Sequence, residues 1–438
     1  MKRSTKQVLW LVLFGVVLVA PILIMLIAPE PSGRQLWRDV AVGLGFLGFA
    51  LMGFVFVPGG RLRMMTEVFE LDTLYKVHHT LSRAAFFLVL AHPLLLIVQN
   101  PNNFVALNLL GAPWKLRAGV IAFALMVLLV MTSIWRQWLR LRYEVWRGLH
   151  NLFSIAVVGF ALYHIFRVDY YTALPLQRAL WVLYAVIWGG IIIYIRIVKP
   201  AMLLRSPYEL VDVVEERGKT WTLALEPVGH AGMPFKAGQV AWLSVGHSPF
   251  RIKEHPFSFS SSAEHPERVE FAIRELGDWT STVGTLEKGT RVYIDGPYGL
   301  FEMADHPGTG YIFIAGGIGA APVMSMLRTL AERGDDRPLH FFYGNPTWES
   351  IAFREELEML QEKLNLKLIH VLERPHDGWE GETGYITKDV LHRHVPFDCT
   401  ECFYFICGPL PMIRLVTRAL HQLNIPQSRI DSERYEMA

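Results

Sequence analysis

The chain has 438 residues, of which 52% are hydrophobic, and a formal net charge of +2. A mean hydropathy of +0.28 excludes a single soluble globule, and the length is sufficient for several domains. The charged residues form no basic block, so the composition predicts no nucleic-acid partner.

Hydrophobic residues are concentrated in the first half of the chain, where six stretches of about 20 residues predict spans of a lipid bilayer. These stretches are 8–27, 40–57, 77–98, 116–135, 149–166 and 176–198. The first stretch is not followed by a small-residue cleavage site, so we expect an uncleaved span rather than a signal peptide.

The charges of the connecting loops predict the orientation of these spans. One side carries Lys2, Arg3, Lys6, Arg61, Arg63, Lys76, Arg136, Arg140, Arg142, Arg147, Arg196 and Lys199. The other side carries only Arg34, Arg38, Lys115, Arg117, Arg167 and Arg178. Because positively charged loops stay on the cytoplasmic side, we expect a multi-pass protein of the cell (plasma) membrane with both termini in the cytoplasm.

Four histidines lie in these spans, His78 and His92 on the third and His150 and His164 on the fifth. Each pair is 14 residues apart, which on an α-helix returns to within about 40° of the same face after a rise of roughly 21 Å. A single intramembrane histidine is ordinarily a hydrogen-bonded polar residue, but the repeated spacing favours axial ligands of two haems. His79 lies about 140° from the face of His92, so His78 is the better ligand.

The predicted topology orients the third and fifth spans in the same direction. His78 and His150 then form one pair near the cytoplasmic side, and His92 and His164 form a second pair about four turns further out. Arg83 also lies in the third span, where a charge is costly. Its side chain either faces a cavity, a haem propionate or a carboxylate, or extends to the membrane surface.

After Pro200 the pattern changes to short strands separated by turns. A small antiparallel β-barrel is predicted by strands at 221–225, 240–245, 269–273 and 291–294. A parallel nucleotide-binding sheet is predicted by strands that alternate with helices, at 311–315, 339–343, 366–372 and 403–406. The fold class is therefore multi-domain, with an all-α six-helix transmembrane domain (1–203), an antiparallel β-barrel domain (204–305) and an α/β parallel-sheet domain (306–438).

A glycine turn directly follows the first strand of the α/β segment. It consists of Gly316, Gly317, Ile318 and Gly319, and Pro322 follows shortly after. Such a turn lets the backbone approach a pyrophosphate at a helix N-terminus. Pro322 replaces the third glycine of the usual dinucleotide fingerprint, and a tight turn without a ligand is the alternative interpretation.

Further segments resemble the ferredoxin-reductase-like flavoprotein module, in that family's order. They are His255-Pro256-Phe257-Ser258, Arg274-Glu-Leu-Gly277-Asp-Trp279-Thr280, Asp295-Gly296-Pro297-Tyr298-Gly299 and Cys407-Gly408-Pro409-Leu410-Pro411-Met412. The resemblance implies that the first segment lies along the flavin, with Ser258 at its edge, and that the second holds the flavin phosphates through Arg274 and Thr280. It also implies that the last segment borders the nicotinamide, with Cys407 near the position of hydride transfer.

With the histidine pairs included, the whole chain resembles the ferric reductase and NADPH oxidase superfamily, and its short prokaryotic members in particular. The resemblance implies an NAD(P)H-dependent oxidoreductase that uses FAD, two haem b groups and NADPH or NADH. Electrons would leave the nicotinamide as a hydride, pass through FAD, which exchanges them in pairs or singly, and reach the outer face through the haems.

The expected acceptor is a small molecule, either a ferric iron complex or O2, and a quinone is a further alternative. A haem with two imidazole ligands has no vacant position, so reduction would occur at the haem edge. In superoxide-producing members of the family a second histidine follows the outer ligand by one turn, whereas this chain has Leu96. That difference favours ferric iron or a quinone over dedicated oxygen reduction.

The segments that resemble the family's nicotinamide site differ from it in one place. Members that bind a 2′-phosphate often carry an arginine after the segment 343–345, where this chain has Pro346 and Thr347. Arg374 is an alternative phosphate ligand, but Glu373 beside it would repel a phosphate, so we expect both NADPH and NADH to be used. At the C-terminus, segment 433–435 resembles the family's ending, where an acid and an aromatic residue border the nicotinamide; a solvated tail is the alternative.

Cys399 and Cys402 have the spacing of metal ligands, but the remaining cysteine, Cys407, belongs to the nicotinamide motif. Structural zinc and iron–sulfur sites need four ligands, so we expect no metal at this pair. On the cytoplasmic side the cysteines are expected to be reduced thiols.

Two other functions fit parts of the pattern. A membrane-anchored flavoprotein reductase would deliver electrons to a cytoplasmic partner or to a quinone, and it would need neither six spans nor matched histidines. A channel or transporter with a redox regulatory domain would use the intramembrane histidines as a proton path. The haem content of the protein distinguishes both from a transmembrane electron carrier.

Overall fold

The computed structural model describes residues 3–27, 35–108, 110–169, 171–251, 253–306, 308–395 and 401–434. The chain divides into two compact units, Met1–Pro200 and Ala201–Ala438. The division falls where the hydrophobic stretches of the sequence end and the short strands begin.

The first unit is helical. Its helices are α1 (Arg3–Ile27), α2 (Leu36–Phe54), α3 (Phe56–Gly59), α4 (Arg63–Thr66), α5 (Leu71–Gln99), α6 (Trp114–Ile134), α7 (Tyr143–Val168), α8 (Pro175–Ile193) and α9 (Lys199–Leu203), the last of which continues into the second unit. Six segments of 21 to 29 residues are long and apolar enough to cross a membrane, and each overlaps one predicted span. The second segment, Leu36–Gly59, combines α2 and α3.

Helix packing in this unit pairs α2 with α5 and α6 with α7. An aromatic core lies where α2 meets α8 and includes Phe46, Phe49, Trp181, Tyr184 and Trp188. The outward faces are apolar as well: Leu11 of α1 is 62% exposed and Val186 of α8 is 65% exposed. Apolar side chains on both faces are expected for helices that are surrounded by lipid.

The second unit begins with a six-stranded antiparallel sheet. Its strands are β1 (Pro207–Glu216), β2 (Thr220–Pro227), β3 (Val240–Val245), β4 (His255–Ser258), β5 (Val269–Arg274) and β6 (Arg291–Tyr298), in the order β4-β3-β6-β1-β2-β5. The sheet curls until its two edges meet, because Phe259, directly after β4, bridges to Phe271 of β5. The predicted antiparallel barrel is thus confirmed.

A six-stranded parallel sheet follows, as predicted. Its strands and helices are β7 (Tyr311–Gly316), α10 (Ala320–Glu332), β8 (Leu339–Asn345), α11 (Arg354–Lys363), β9 (Leu366–Leu372), β10 (Glu382–Thr383), α12 (Lys388–His394), β11 (Phe403–Gly408), α13 (Leu410–Gln422) and β12 (Ile430–Arg434). The strand order is β10-β9-β8-β7-β11-β12, so the chain reverses its direction across the sheet between β7 and β11. In open α/β sheets, ligands bind at the carboxyl ends of the strands beside such a reversal.

Arg328 of α10 joins the two sheets of the second unit. Its guanidinium donates to the carbonyl of Ser260 (2.8 Å) and to the carboxylates of Glu270 on β5 (2.9 Å) and Glu356 on α11 (2.7 Å). These bonds hold the start of the parallel-sheet segment against strand β5, which ends at Arg274. The joint thereby brings segments predicted to bind flavin close to the glycine turn.

Candidate functional site

The four intramembrane histidines lie on two helices, His78 and His92 on α5 and His150 and His164 on α7, and all four are half-buried. The rings of His78 and His150 face each other, with 6.3 Å between their centroids. His92 and His164 are close enough to interact electrostatically. The structure therefore brings together the two pairs that the spacing and topology predict.

Three of the four imidazoles contact a backbone carbonyl of a neighbouring membrane segment through Nδ1. The partners are Ala41 for His92 (2.8 Å), Lys115 for His164 (2.6 Å) and Val55 for His78 (3.3 Å). A carbonyl oxygen only accepts, so each of these Nδ1 atoms carries the proton.

His150 has a hydroxyl partner instead, the Oγ of Ser133 on α6, at 3.3 Å. The Ser133 hydroxyl donates to the carbonyl of Leu129 at 2.7 Å, so its oxygen is free to accept from His150. All four Nε2 atoms then keep the lone pair that a metal needs, and the second ring nitrogen is held as in metal-bound histidines.

The histidine pairs fit a haem better than a bare metal ion. Within the described ranges, no group of three or more His, Cys, Asp or Glu side chains is placed to hold an ion. Two axial imidazoles suffice for haem iron, because the porphyrin supplies the other four ligands. His79 is exposed, and Arg83 donates to the carbonyl of His79 at 3.2 Å on the same helix, which leaves both interpretations of Arg83 open.

The predicted flavin segment forms strand β4, which pairs with β3 so that Ser258 lies opposite Val240 and Pro256 opposite Trp242. The ring of Trp279 stacks on His255 with 4.4 Å between centroids and an angle of 13°. Trp279 also lies 5.8 Å from the ring of Phe257. The two segments predicted to hold the flavin are therefore in contact.

Arg274 and Thr280 occupy different positions in the second flavin segment. Arg274 ends β5, and a Cβ added to Gly317 would lie 2.8 Å from its Nη1, so its charge lies beside the glycine turn. The Thr280 hydroxyl accepts from the amides of Leu276 (2.9 Å) and Gly277 (2.8 Å). Thr280 thus shapes the loop, and its predicted contact with a flavin phosphate stays a prediction.

The glycine turn lies at the carboxyl end of β7, where Gly317 has a φ of +54° that favours glycine. Backbone of the Cys407 motif packs against the turn: Ala315 pairs with Cys407, and a Cβ on Gly408 would lie 3.2 Å from the Gly316 nitrogen. Larger residues in this turn would separate the two motifs. Within this turn Gly319 also approaches the carbonyl of Cys407, and Ile318 is half-buried.

Pro322 is buried in the first turn of α10, where a missing backbone N–H has no cost. Pro322 stands where the usual dinucleotide-binding motif has its third glycine, and it is therefore compatible with a helix that begins at the turn. Pro409 directly precedes α13 and contacts the turn as well, since a Cβ on Gly316 would lie 3.2 Å from Pro409 Cδ.

Cys407 is buried beside an acidic residue from the end of the described chain. Strand β12 pairs Glu433 with Cys407, and a Cβ on Gly299 would lie 3.5 Å from Glu433 Oε1. Burial and the charge of Glu433 raise the pKa of the Cys407 thiol, which is consequently neutral at physiological pH. The terminal acid, the Cys407 motif and the turn 295–299 thus meet at one place, and Tyr435 lies outside the described residues.

The residues considered for nicotinamide preference lie at the same edge of the sheet. Arg374 and Glu373 are exposed and follow β9, and their amides donate to Pro346 (2.9 Å) and Asn345 (3.0 Å) after β8. The expectation of reduced thiols is wrong for Cys402, which is disulfide-bonded. Cys399 lies outside the described residues.

Sequence reasoning missed the partners of the histidines and the joint at Arg328. Three of the histidine partners are backbone carbonyls, which every residue type supplies, so side-chain identity gives no signal. Arg328 belongs to no motif, and its partners are far from it in sequence.

The second unit combines a curled antiparallel sheet that carries a flavin motif with a parallel sheet that carries a dinucleotide turn. This arrangement defines the class of flavin- and nicotinamide-dependent oxidoreductases. Family models match three parts of the chain: the ferric reductase like transmembrane component at 44–161, an FAD-binding domain at 207–302 and the oxidoreductase NAD-binding domain at 313–418. Together these matches have the domain composition of a ferric reductase or NADPH oxidase-like fusion, with a multi-pass membrane part and the FAD- and NAD-binding domains of an NAD(P)H oxidoreductase.

Similar proteins match about half of the chain. The reductase component of propane 2-monooxygenase from Rhodococcus jostii is 31% identical over 224 residues, which are 49% of this chain and 59% of that protein. Subunit gamma of sulfhydrogenase 2 from Pyrococcus furiosus is 34% identical over 45% of this chain and 70% of its own length. The solved ferredoxin reductase of carbazole 1,9a-dioxygenase is 21% identical with a TM-score of 0.47, over 52% of this chain and 69% of that one.

Proposed function

We propose that this protein transfers electrons from NAD(P)H through FAD and two haem b groups to an acceptor on the opposite side of the membrane. The observation that carries the proposal is the double pairing of imidazoles on α5 and α7, each with its Nδ1 engaged by a neighbouring helix. A flavin–nicotinamide reductase that served only a soluble partner would have no use for this arrangement.

The proposed ligand pairs are His78 with His150 and His92 with His164. When bound, the haems would supply single-electron carriers, and FAD would supply the exchange between the two-electron chemistry of the nicotinamide and single electrons. The protein's own contribution is positional: neighbouring helices fix the imidazole orientation, and Trp279 and β4 fix the flavin segment. In the proposed nicotinamide site, the buried and neutral Cys407 thiol would border the nicotinamide.

The proposed orientation places both termini in the cytoplasm of a cell whose plasma membrane the six helices cross. It is supported by the excess of Lys and Arg on the loops at the N-terminal side of α1 and between α2 and α5 and between α6 and α7. NAD(P)H is a cytoplasmic reductant, so the nicotinamide site must lie on the same side. His92 and His164 would then hold the outer haem.

A ferric iron complex is the proposed acceptor, and O2 is the alternative. If His92 and His164 both hold the iron of the outer haem, the acceptor would be reduced without binding the metal. Leu96, one turn after His92, is half-buried and aliphatic and therefore offers no proton or hydrogen bond to reduced oxygen. These features support outer-sphere reduction of iron over a dedicated oxygen site.

A membrane-anchored reductase is the second candidate function. It is favoured by the relatives whose printed names describe a reductase component or a subunit, because they match less than half of this chain. Such a protein would pass electrons from FAD to a cytoplasmic partner or a quinone. It would retain its flavin activity without any haem.

Haem content and reduction by NADPH test the proposal. We expect the purified full-length protein to contain two haems per FAD, with a low-spin spectrum, and to reduce both haems with NADPH in the absence of oxygen. The variants His78→Ala and His164→Ala should each lose one haem, whereas the control His79→Ala should keep both. A protein that binds FAD but no haem, although haem is supplied during expression, would contradict the proposal and support the anchored reductase.

A further inference from the structure

The carbonyls that accept from the histidines follow a repeat of their own. Ala41 and Val55, the partners of His92 and His78, are 14 residues apart, which matches the spacing of the two histidines. Lys115, the partner of His164, is likewise 14 residues before Leu129. The neighbouring helices therefore repeat the 14-residue period of α5 and α7 in the opposite direction.

A small residue stands four positions after each of these carbonyls. Gly45 follows Ala41, Gly59 follows Val55 and Gly119 follows Lys115. The fourth position, after Leu129, is Ser133, the residue whose hydroxyl contacts His150. The same arrangement thus occurs at all four ligand positions, with three glycines and one serine.

Helix geometry explains why these positions are small. Every Cα–Cβ bond on an α-helix tilts towards the N-terminus, so the side chain of a residue covers the carbonyl one turn before it. A Cβ on Gly119 would lie 2.8 Å from Nδ1 of His164, and a Cβ on Gly45 would lie 3.0 Å from Nδ1 of His92. At Gly59 the corresponding distance to His78 is 3.3 Å. A larger residue would push each imidazole away from its acceptor.

We propose that Gly45, Gly59 and Gly119 are positioning residues for the haem ligands, because each one exposes the helix carbonyl to which a ligand imidazole donates. The inference rests on the proposed function, since it assigns these contacts to haem-binding histidines. A hydrogen bond from Nδ1 to a carbonyl fixes the ring orientation and increases the basicity of the ligating nitrogen, which stabilises ferric haem. These glycines would therefore influence both haem retention and midpoint potential.

Ser133 achieves the same result by a relay. Its hydroxyl donates to the Leu129 carbonyl at 2.7 Å and accepts from His150 at 3.3 Å. Removal of the hydroxyl in Ser133→Ala leaves a Cβ over the Leu129 carbonyl and gives His150 no acceptor there. Ser133→Gly removes the Cβ as well and exposes the carbonyl, so His150 can donate to it directly, as the other three histidines do.

Glycines elsewhere in the same helices provide matched controls. A Cβ on Gly43, two residues before Gly45, meets only the methyl group of Met25 at an ordinary 3.5 Å. A Cβ on Gly48 would lie 2.7 Å from Cγ2 of Val89 on α5 and reaches no histidine among the described neighbours. Gly43→Ala therefore tests the loss of a helix glycine, and Gly48→Ala tests the disturbance of α2–α5 packing.

The experiment compares these variants of the full-length protein by haem-to-FAD ratio, ferric low-spin EPR spectrum and haem midpoint potentials. We expect Gly119→Ala and Gly45→Ala to weaken outer-haem retention about 10- to 100-fold, or to shift that haem's EPR signal and raise its midpoint potential. Gly59→Ala should change the inner haem in the same direction but less. Gly43→Ala should match the wild type, and Gly48→Ala should lower thermal stability and leave the EPR signals in place.

The serine variants keep the test informative if a glycine variant does not fold, because both of them remove atoms. Ser133→Ala should raise the midpoint potential of the inner haem, and Ser133→Gly should not. Spectra and haem content of Gly119→Ala that equal those of Gly43→Ala, or equal potentials in the two serine variants, would overturn the inference. A wild-type protein without haem would instead overturn the proposed function.

Discussion

The position of Cys407 in the parallel sheet determines the pKa of its thiol. Burial and the charge of Glu433 raise its pKa, so the folded protein holds the thiol proton to a higher pH than the unfolded chain does. This group therefore contributes stability that is complete below its unfolded pKa of about 8.5 and is lost as the pH rises above that value.

At the residue scale, we expect Cys407 to resist alkylation in the folded protein. Iodoacetamide reacts with thiolates. At pH 8 the raised pKa keeps the Cys407 thiol protonated, and burial keeps the reagent from reaching it. Mass spectrometry should find Cys407 unmodified in the native protein and modified after unfolding in urea at the same pH. Rapid labelling of the native protein at neutral pH would contradict the assigned environment.

A second prediction at this scale concerns Arg374 and the coenzyme. If its exposed guanidinium binds the 2′-phosphate, Arg374→Ala should raise the KM for NADPH about tenfold, equivalent to about 1.4 kcal/mol, and leave the KM for NADH unchanged. Glu373→Gln should have the opposite effect on NADPH, because it removes a repulsive charge. Steady-state kinetics with both coenzymes measure this, and equal changes for NADPH and NADH in Arg374→Ala would exclude the assignment.

At the scale of elements, the joint between α10, α11 and β5 is expected to stabilise the second unit. The side chain of Arg328 is only 17% exposed, and its loss would remove the guanidinium that two partly buried carboxylates share, at a cost of about 3–5 kcal/mol. Arg328→Met should therefore lower the melting temperature of the FAD-loaded protein clearly. Arg333→Met, which removes a surface ion pair with Glu264 at 54% and 43% exposure, should change it little. Equal melting temperatures of the two variants would show that the joint is unimportant.

The regular elements could be predicted from sequence where one pattern dominated. Long apolar stretches gave the spans, and alternating or fully apolar runs gave β3 and β9 with their observed bounds. Strand β4 was missed as a strand because it contains Pro256, which cannot donate to the ladder. Strand β12 was missed because its five residues are mostly polar and only its pairing with β11 makes it a strand.

The candidate site was predictable to the extent that side-chain type and spacing define it. The 14-residue period identified the histidines, and the motifs identified the turn and Cys407. Contacts between helices that are distant in sequence, such as Nδ1 of His164 with the Lys115 carbonyl, could not be predicted, because every residue type supplies a backbone carbonyl. The disulfide at Cys402 was also not expected, since the prediction rested on the compartment alone.

At the scale of the whole molecule, the proposed function needs two haems that act in sequence. We expect His92→Ala to lose the outer haem and keep the inner one, because His78 and His150 are unchanged. NADPH should then still reduce the remaining haem anaerobically, while reduction of a ferric chelate at the outer face falls to background. Stopped-flow spectroscopy measures both steps, and a variant that loses both haems together would argue against independent sites.

Electron transfer across a sealed bilayer distinguishes a transmembrane electron carrier from an anchored reductase. The protein is reconstituted into liposomes that enclose ferricyanide, and NADPH, which does not cross the bilayer, is added outside. Molecules with their second unit outward should oxidise NADPH and reduce the enclosed ferricyanide, whereas His92→Ala should not. Reduction that occurs only when ferricyanide is added to the NADPH side would contradict electron transfer across the membrane.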